Sequence, residues 1–291
     1  MMLQPLRKRE TAEKLELTLA MYVDQVSLVV DKRRCLKCEV CSTVCPRQAV
    51  QLTAGEDSLE LTIDPRLCVL CEICSHFCPT GAVTLFYNGR PKAILSANRG
   101  VAPFYPAITL DADRCPEPCP PLPEGEEHWC RTERRLVANT LADCPKSCRL
   151  CLTACPRQVV QLAPDGSYVF PTPDQCLRCQ QCLLVCRTQA IQIVPKFIGR
   201  VHINAALCPS DCTKCIDLCP VRLIVREGAQ VFLKTDTCSL CGVCRNICPE
   251  GAITIIREDV VAEPGEYSLA WETAVAKLRG SGEQQSGGSG P

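Results

Sequence analysis

Cysteine recurs along this chain in runs of four, and no other feature narrows its folding options as much. The first run is Cys35, Cys38, Cys41 and Cys45, followed by Pro46. The second is Cys68, Cys71, Cys74 and Cys78, followed by Pro79. Both read C-x2-C-x2-C-x3-C-P. The third, Cys144, Cys148, Cys151 and Cys155 with Pro156, opens with one extra residue, and the fifth, Cys208, Cys212, Cys215 and Cys219 with Pro220, does the same. The fourth, Cys176, Cys179, Cys182 and Cys186, keeps the tight spacing but has Arg187 in place of proline. The sixth, Cys238, Cys241, Cys244 and Cys248 with Pro249, is regular. Cys115, Cys119 and Cys130 stand outside the runs.

With 27 cysteines in 291 residues, the thiols serve either disulfides or metal. The odd count and the length argue against a disulfide-stapled module. The stretch after Met1 has no uninterrupted apolar segment of signal length, and no apolar run approaches the ~18 residues of a membrane span. The expectation is a soluble, cytoplasmic protein in a reducing compartment, its thiolates committed to metal. Lys+Arg and Asp+Glu balance at 32 each, which argues against a polybasic nucleic-acid or membrane surface. Aromatic residues make up 4%, so large rings are not expected to fill the interior.

The repetition extends past cysteine. A short β-prone run follows each block, as at 49–52, 82–85, 159–162, 190–193, 223–225 and 252–255, and most blocks follow an extended run ending in Asp or Asn. The unit is strand, Cys loop, short helix, strand, and it occurs as a pair three times over. The predicted fold class is α+β, with three tandem modules at 26–98, 136–200 and 201–258. Period-two alternation over 15–23 predicts a strand in an N-terminal extension, 1–25, that pairs with 26–30. Asn88-Gly89 predicts a hairpin between 83–87 and 92–95. Residues 99–135 form a Pro-rich connector. There Ile108–Cys115 reads as the lead-in to an incomplete run, and Cys115, Cys119, Cys130 and His128 are a conceivable extra metal site beside the alternative of leftover thiols. Residues 259–291 hold an amphipathic helix, capped by Ser268 and ended by Gly280, then a disordered Gly/Ser tail. Trp271, Val275 and Leu278 give that helix one apolar face, for its own third module or for a partner. His76 lies between Cys74 and Cys78, where it either hydrogen-bonds a ligand or sits at the surface.

Zinc is usually held by two separated C-x2-C knuckles. Three cysteines within one tight loop suit three corners of a cube, and the fourth, facing away, can reach the site of the partner block. These runs resemble those of the bacterial-type 2[4Fe–4S] ferredoxin family, repeated in series as in polyferredoxins. The C-P-x-x-C openings look like those of archaeal polyferredoxins, such as the subunit accompanying formylmethanofuran dehydrogenase. The resemblance implies six [4Fe–4S] clusters with crossed ligands. Cys35, Cys38, Cys41 and Cys78 would hold one, and Cys68, Cys71, Cys74 and Cys45 its partner. Cys144, Cys148, Cys151 and Cys186 would pair with Cys176, Cys179, Cys182 and Cys155. Cys208, Cys212, Cys215 and Cys248 would pair with Cys238, Cys241, Cys244 and Cys219.

With such clusters oxidised, the charge falls to about −12, most negative after residue 207. Lys32, Arg33, Arg34 and Lys37 are placed to neutralise the first block or to steer an acidic donor such as a soluble ferredoxin. The sequence offers no catalytic constellation, no haem attachment motif and no fingerprint for flavin, nicotinamide or nucleotide. The function expected is non-catalytic: an anaerobic electron-transfer chain relaying single electrons between a catalytic oxidoreductase subunit and a soluble carrier or second enzyme. A standalone carrier is the alternative.

Overall fold

The structure is a computed structural model that describes residues 6–56, 58–110, 150–164, 168–172, 175–186 and 189–280, with the strand backbones 127–130 and 135–138. It divides into two compact units, Met1–Tyr105 together with Phe197–Pro291, and Pro106–Lys196.

The first segment runs β1 (Arg7–Glu10), β2 (Lys14–Ala20), β3 (Gln25–Asp31), α1 (Val40–Val44), β4 (Val50–Ala54), β5 (Leu59–Ile63), α2 (Ile73–Phe77), β6 (Val83–Tyr87), β7 (Arg90–Pro91) and α3 (Ile94–Ala97). An antiparallel sheet is ordered β1-β2-β3-β6-β7, with β4 and β5 as a separate hairpin. The alternation in β2 buries Leu15 and Leu17 against Leu28, Val30, Val83 and Leu85. This strand pairs with β3 as expected, Leu17 opposite Leu28. It stops at Ala20 rather than Val23, because Met21 N–H donates to Asp24 O at 2.7 Å and closes a turn. β1 has no apolar alternation and is exposed throughout, and it forms by edge pairing alone.

Asn88 and Gly89 turn with φ of 48° and 76°, the left-handed pair that a tight hairpin needs. The returning strand expected at 92–95 is not there. Pro91 has no N–H to continue the ladder, and β7 ends after two residues. The chain bends instead into α3, where the Glu72 carboxylate accepts from the N–H groups of Ile94 (2.6 Å) and Leu95 (3.0 Å).

The middle unit contains β8 (Ile108–Leu110), β9 (Glu127–Cys130), β10 (Arg135–Ala138), α4 (Leu150–Ala154), β11 (Gln161–Leu162), β12 (Tyr168–Val169), α5 (Gln181–Val185) and β13 (Ile191–Ile193). β8 pairs antiparallel with β13, Thr109 opposite Gln192. β3 and β6 meet in the same way in the first segment. The strand leading toward Cys115 is therefore an integral strand of the middle unit, and β9 and β10 form a hairpin.

The last segment holds β14 (Phe197–Ile203), α6 (Lys214–Leu218), β15 (Ile224–Glu227), β16 (Gln230–Leu233), α7 (Val243–Ile247), β17 (Ile253–Val260) and α8 (Leu269–Gly280). β14 pairs with β17 through a bulge at Ile198/Gly199, where a Cβ on Gly199 would fall 2.0 Å from Ile256 O.

The first and last segments share one core, in which Val40, Val44, Ile73 and Phe77 pack with Val243, Ile247, Ile255 and Leu278. α8 seals the seam. Trp271 stacks on Phe77 with ring centroids 5.0 Å apart, and Phe104 and Tyr267 both lie 5.9 Å from Trp271. Aromatic residues, sparse in the sequence, gather here. The Ser268 hydroxyl caps the helix, accepting from Trp271 N–H at 3.4 Å. Neither expectation for the helix's apolar face holds as stated: it packs on α1 and α2 of the first segment as well as on β17 of the last. No helix among the described residues is long and apolar enough to cross a membrane. The tail, 281–291, lies outside the described residues.

Candidate metal centres

The helices α1, α2, α4, α5, α6 and α7 occupy the six runs in a single register. In each, the third Cys is the second helical residue and the fourth Cys follows the last. The loops on either side use backbone that most side chains avoid. Lys37, Leu70, Arg178 and Leu240, two residues after the first Cys, have φ between 52° and 55°. Gln48, Gly81, Gln158, Gln189, Arg222 and Gly251, three residues after the fourth, have φ between 53° and 60°. A left-handed residue other than glycine costs about 1–2 kcal/mol. Such strain, repeated in register, turns N–H groups onto sulfur. Ala49, Ala82, Val159, Leu223 and Ala252 donate to the Sγ atoms of Cys45, Cys78, Cys155, Cys219 and Cys248 at 3.2–3.4 Å. Lys37 and Leu240 donate to Cys35 and Cys238 at 3.4 Å. Alternating right- and left-handed backbone of this kind forms concave nests for anions.

In five of the six runs the fourth Cys stands beside thiols of the partner run. Burial pushes the Cys35 and Cys41 thiols up, and the charge of Cys78 adds to the effect. Cys45 acts in the same way on Cys68, Cys71 and Cys74. Cys155 stands by Cys176, Cys179 and Cys182, Cys248 by Cys215, and Cys219 by Cys238, Cys241 and Cys244. Three cavities have matching walls. Cys45 with Cys68, Cys71 and Cys74 lines one, Cys155 with Cys176, Cys179 and Cys182 the second, and Cys219 with Cys238, Cys241 and Cys244 the third.

Desolvation raises Cys215 to about 11 and both Cys179 and Cys238 to about 12. Thiolates packed so close need a positive core to hold them. Among the described residues, no three His, Cys, Asp or Glu side chains converge as ligands of one metal ion. Four thiols around a cavity, with N–H donors behind them, fit a [4Fe–4S] core.

Cys115, Cys119, Cys144, Cys148 and Arg187 lie outside the described residues, and Cys130 and His128 are placed only as backbone of β9. His76 turns toward the chain after α3. Its Nε2 lies 2.9 Å from Ala102 O, and its ring stacks on Phe104 at 4.8 Å. Of the basic residues at the first block, Lys32 pairs with Glu10 at 2.8 Å, Arg33 with Glu13 at 3.6 Å, and Arg34 donates to Thr80 O at 2.8 Å. Three of the four basic groups, expected to neutralise the block or to steer a donor, thus have partners within the first segment.

Sequence reading missed the charged residues that position the loops. Glu39, directly after Cys38, is 3% exposed and takes a hydrogen bond from the fully buried Arg257 at 2.6 Å. Arg245 closes on its other oxygen. Arg257 also donates to Leu240 O at 3.0 and 2.7 Å. Lys277 of α8 donates to Cys45 O at 2.7 Å. The available signal was a Glu inside each cysteine loop of the first module, Glu39 and Glu72, both buried.

Nested N–H donors, crossed thiol sets and a paired strand–helix–strand repeat define a ferredoxin-type iron–sulfur protein. Profiles of the 4Fe-4S dicluster domain match residues 28–85 and 143–191, and those of the 4Fe-4S binding domain match 73–98 and 231–254. An uncharacterized ferredoxin of Methanocaldococcus jannaschii is 37% identical over 57 residues, 19% of this chain and 92% of that one. A ferredoxin of Methanothermococcus thermolithotrophicus is 37% identical over 46 residues, 16% of this chain and 77% of that one. The chain belongs to the 4Fe–4S ferredoxin family, and several [4Fe–4S] clusters are its cofactors. A solved chain of the formate dehydrogenase–heterodisulfide reductase–formylmethanofuran dehydrogenase complex from Methanospirillum hungatei shares the fold. Its TM-score is 0.72 at 22% identity, over 96% of this chain and 93% of that one.

Proposed function

We propose that this chain is a polyferredoxin, a non-catalytic subunit that carries single electrons between a catalytic oxidoreductase subunit and a soluble carrier or second enzyme. Its load is about six [4Fe–4S] clusters, in the crossed sets of cysteines given above. The observation that carries this reading is the wall of each cavity, three cysteines from one run and the fourth from its partner. A [4Fe–4S] cluster held by four thiolates supplies one-electron chemistry and leaves no position open for substrate. The protein's own residues hold it, shield it from water and direct backbone N–H groups at its sulfur ligands. Likeness in fold to a chain of a large oxidoreductase assembly supports the role of a subunit.

Anaerobic iron, sulfide and zinc analysis with electron paramagnetic resonance (EPR) of the reduced protein tests this. About 24 iron and 24 sulfide, with coupled S = 1/2 signals, are expected. A count near 28 would bring in Cys115, Cys119 and Cys130, with His128 beside them. Stoichiometric zinc with little iron overturns the reading. Purification in fixed stoichiometry with an oxidoreductase separates a subunit from a free carrier.

A further inference from the structure

The first and third modules meet at their cysteine loops. Glu39 N–H, between Cys38 and Cys41, donates to Cys241 O at 3.2 Å. Cys38 is buried in the core that contains Cys241 and Cys244, whereas Cys41 and Cys45 are buried in the core of the first module. Arg257, which grips Leu240 O in the sixth run, passes its guanidinium to the Glu39 carboxylate, and Arg245 of α7 binds the other oxygen. Close approach is built in: a Cβ on Gly242 would fall 2.3 Å from Glu39 Cδ.

We propose that Glu39, Arg245 and Arg257 are positioning residues that lock the Cys35–Cys41 loop against the Cys238–Cys244 loop. The ligand sets Cys35/Cys38/Cys41/Cys78 and Cys238/Cys241/Cys244/Cys219 are thereby neighbours across modules. The first and third modules are then in direct electronic contact, and that contact does not need the clusters of the middle module. This rests on the proposed cluster sets.

The test uses the full chain with the two outer clusters of the discontinuous unit removed by Cys74→Ala and Cys215→Ala, and those of the middle unit removed by Cys151→Ala and Cys182→Ala. Iron should fall to about one third of wild type. The two remaining clusters, one per module, should show mutual spin coupling in the reduced EPR spectrum, lost on adding Cys38→Ala. Iron at one third with two sharp, uncoupled signals overturns the junction and leaves the cluster sets standing, whereas iron without [4Fe–4S] signals in the wild type overturns the cluster sets themselves. Where the multiple variant does not load, Arg245→Ala in the otherwise unaltered chain serves as the second arm. An EPR-monitored redox titration should then show two waves shifting, one from each module, and a shift confined to the third module overturns the proposal.

Discussion

Arg257 and Glu39 stand 218 residues apart in the chain and meet where water does not reach. Attraction between buried ions barely offsets their desolvation, but removing one partner strands the other. Glu39→Ala leaves the fully buried Arg257 guanidinium without its anion, at a cost of about 3–5 kcal/mol, to be read as a lowered anaerobic denaturation midpoint. Glu39→Gln keeps an acceptor and should cost less. The crossed thiols make a second prediction at this scale. Cys45→Ala should lower iron by about four per chain, and Cys45→Ala with Cys71→Ala by no more, since both serve one site. Cys45→Ala with Cys38→Ala should lower it by about eight, because these belong to different sites. The cysteine runs were legible at this scale because their spacing is local. The Glu39 contacts were not, since nothing near Cys38 indicates which distant arginine arrives.

Five-residue helices that carry the third cysteine and end just before the fourth are too short to persist alone. Ligand spacing and the shared core hold them, so the cysteine pattern located all six. α8 was legible in a different way. Its cap at Ser268 and its apolar face followed from local sequence, but the surface it covers is built by Phe77 and Phe104, at remote positions. Trp271→Ala empties the centre of this aromatic seam and should cost about 3–5 kcal/mol. Limited proteolysis should then cut at the ends of α8 well before wild type. β7 shows the opposite error. Asn88-Gly89 correctly marked the turn, but Pro91 outweighed the β-prone residues that follow, and the missing ladder donor decided the matter.

Repeats in sequence mark three modules along the chain without their arrangement, and the structure packs the first and last segments into one compact unit. Repeat spacing reports local units, whereas this union depends on side chains that interlock only in three dimensions. Gly199→Ala, which drives a methyl group into Ile256 O on β17, is a lever on the joined unit. On heating, iron of the first and third modules should bleach in one transition, and Gly199→Ala should lower that transition for both. Separate melting of the first module at its wild-type temperature would show that the joined core is not cooperative. The same arrangement sets a timetable for biosynthesis. Residues 6–105 leave the ribosome with Glu39 lacking its counter-ions and Phe77 lacking its cover; Glu39 waits for Arg245 and Arg257, and Phe77 for Trp271 of α8. The middle unit can close on itself in the meantime. Iron loading at Cys38 is thus tied to synthesis as far as the last segment, and a chain stalled or clipped before it would present that thiol unshielded.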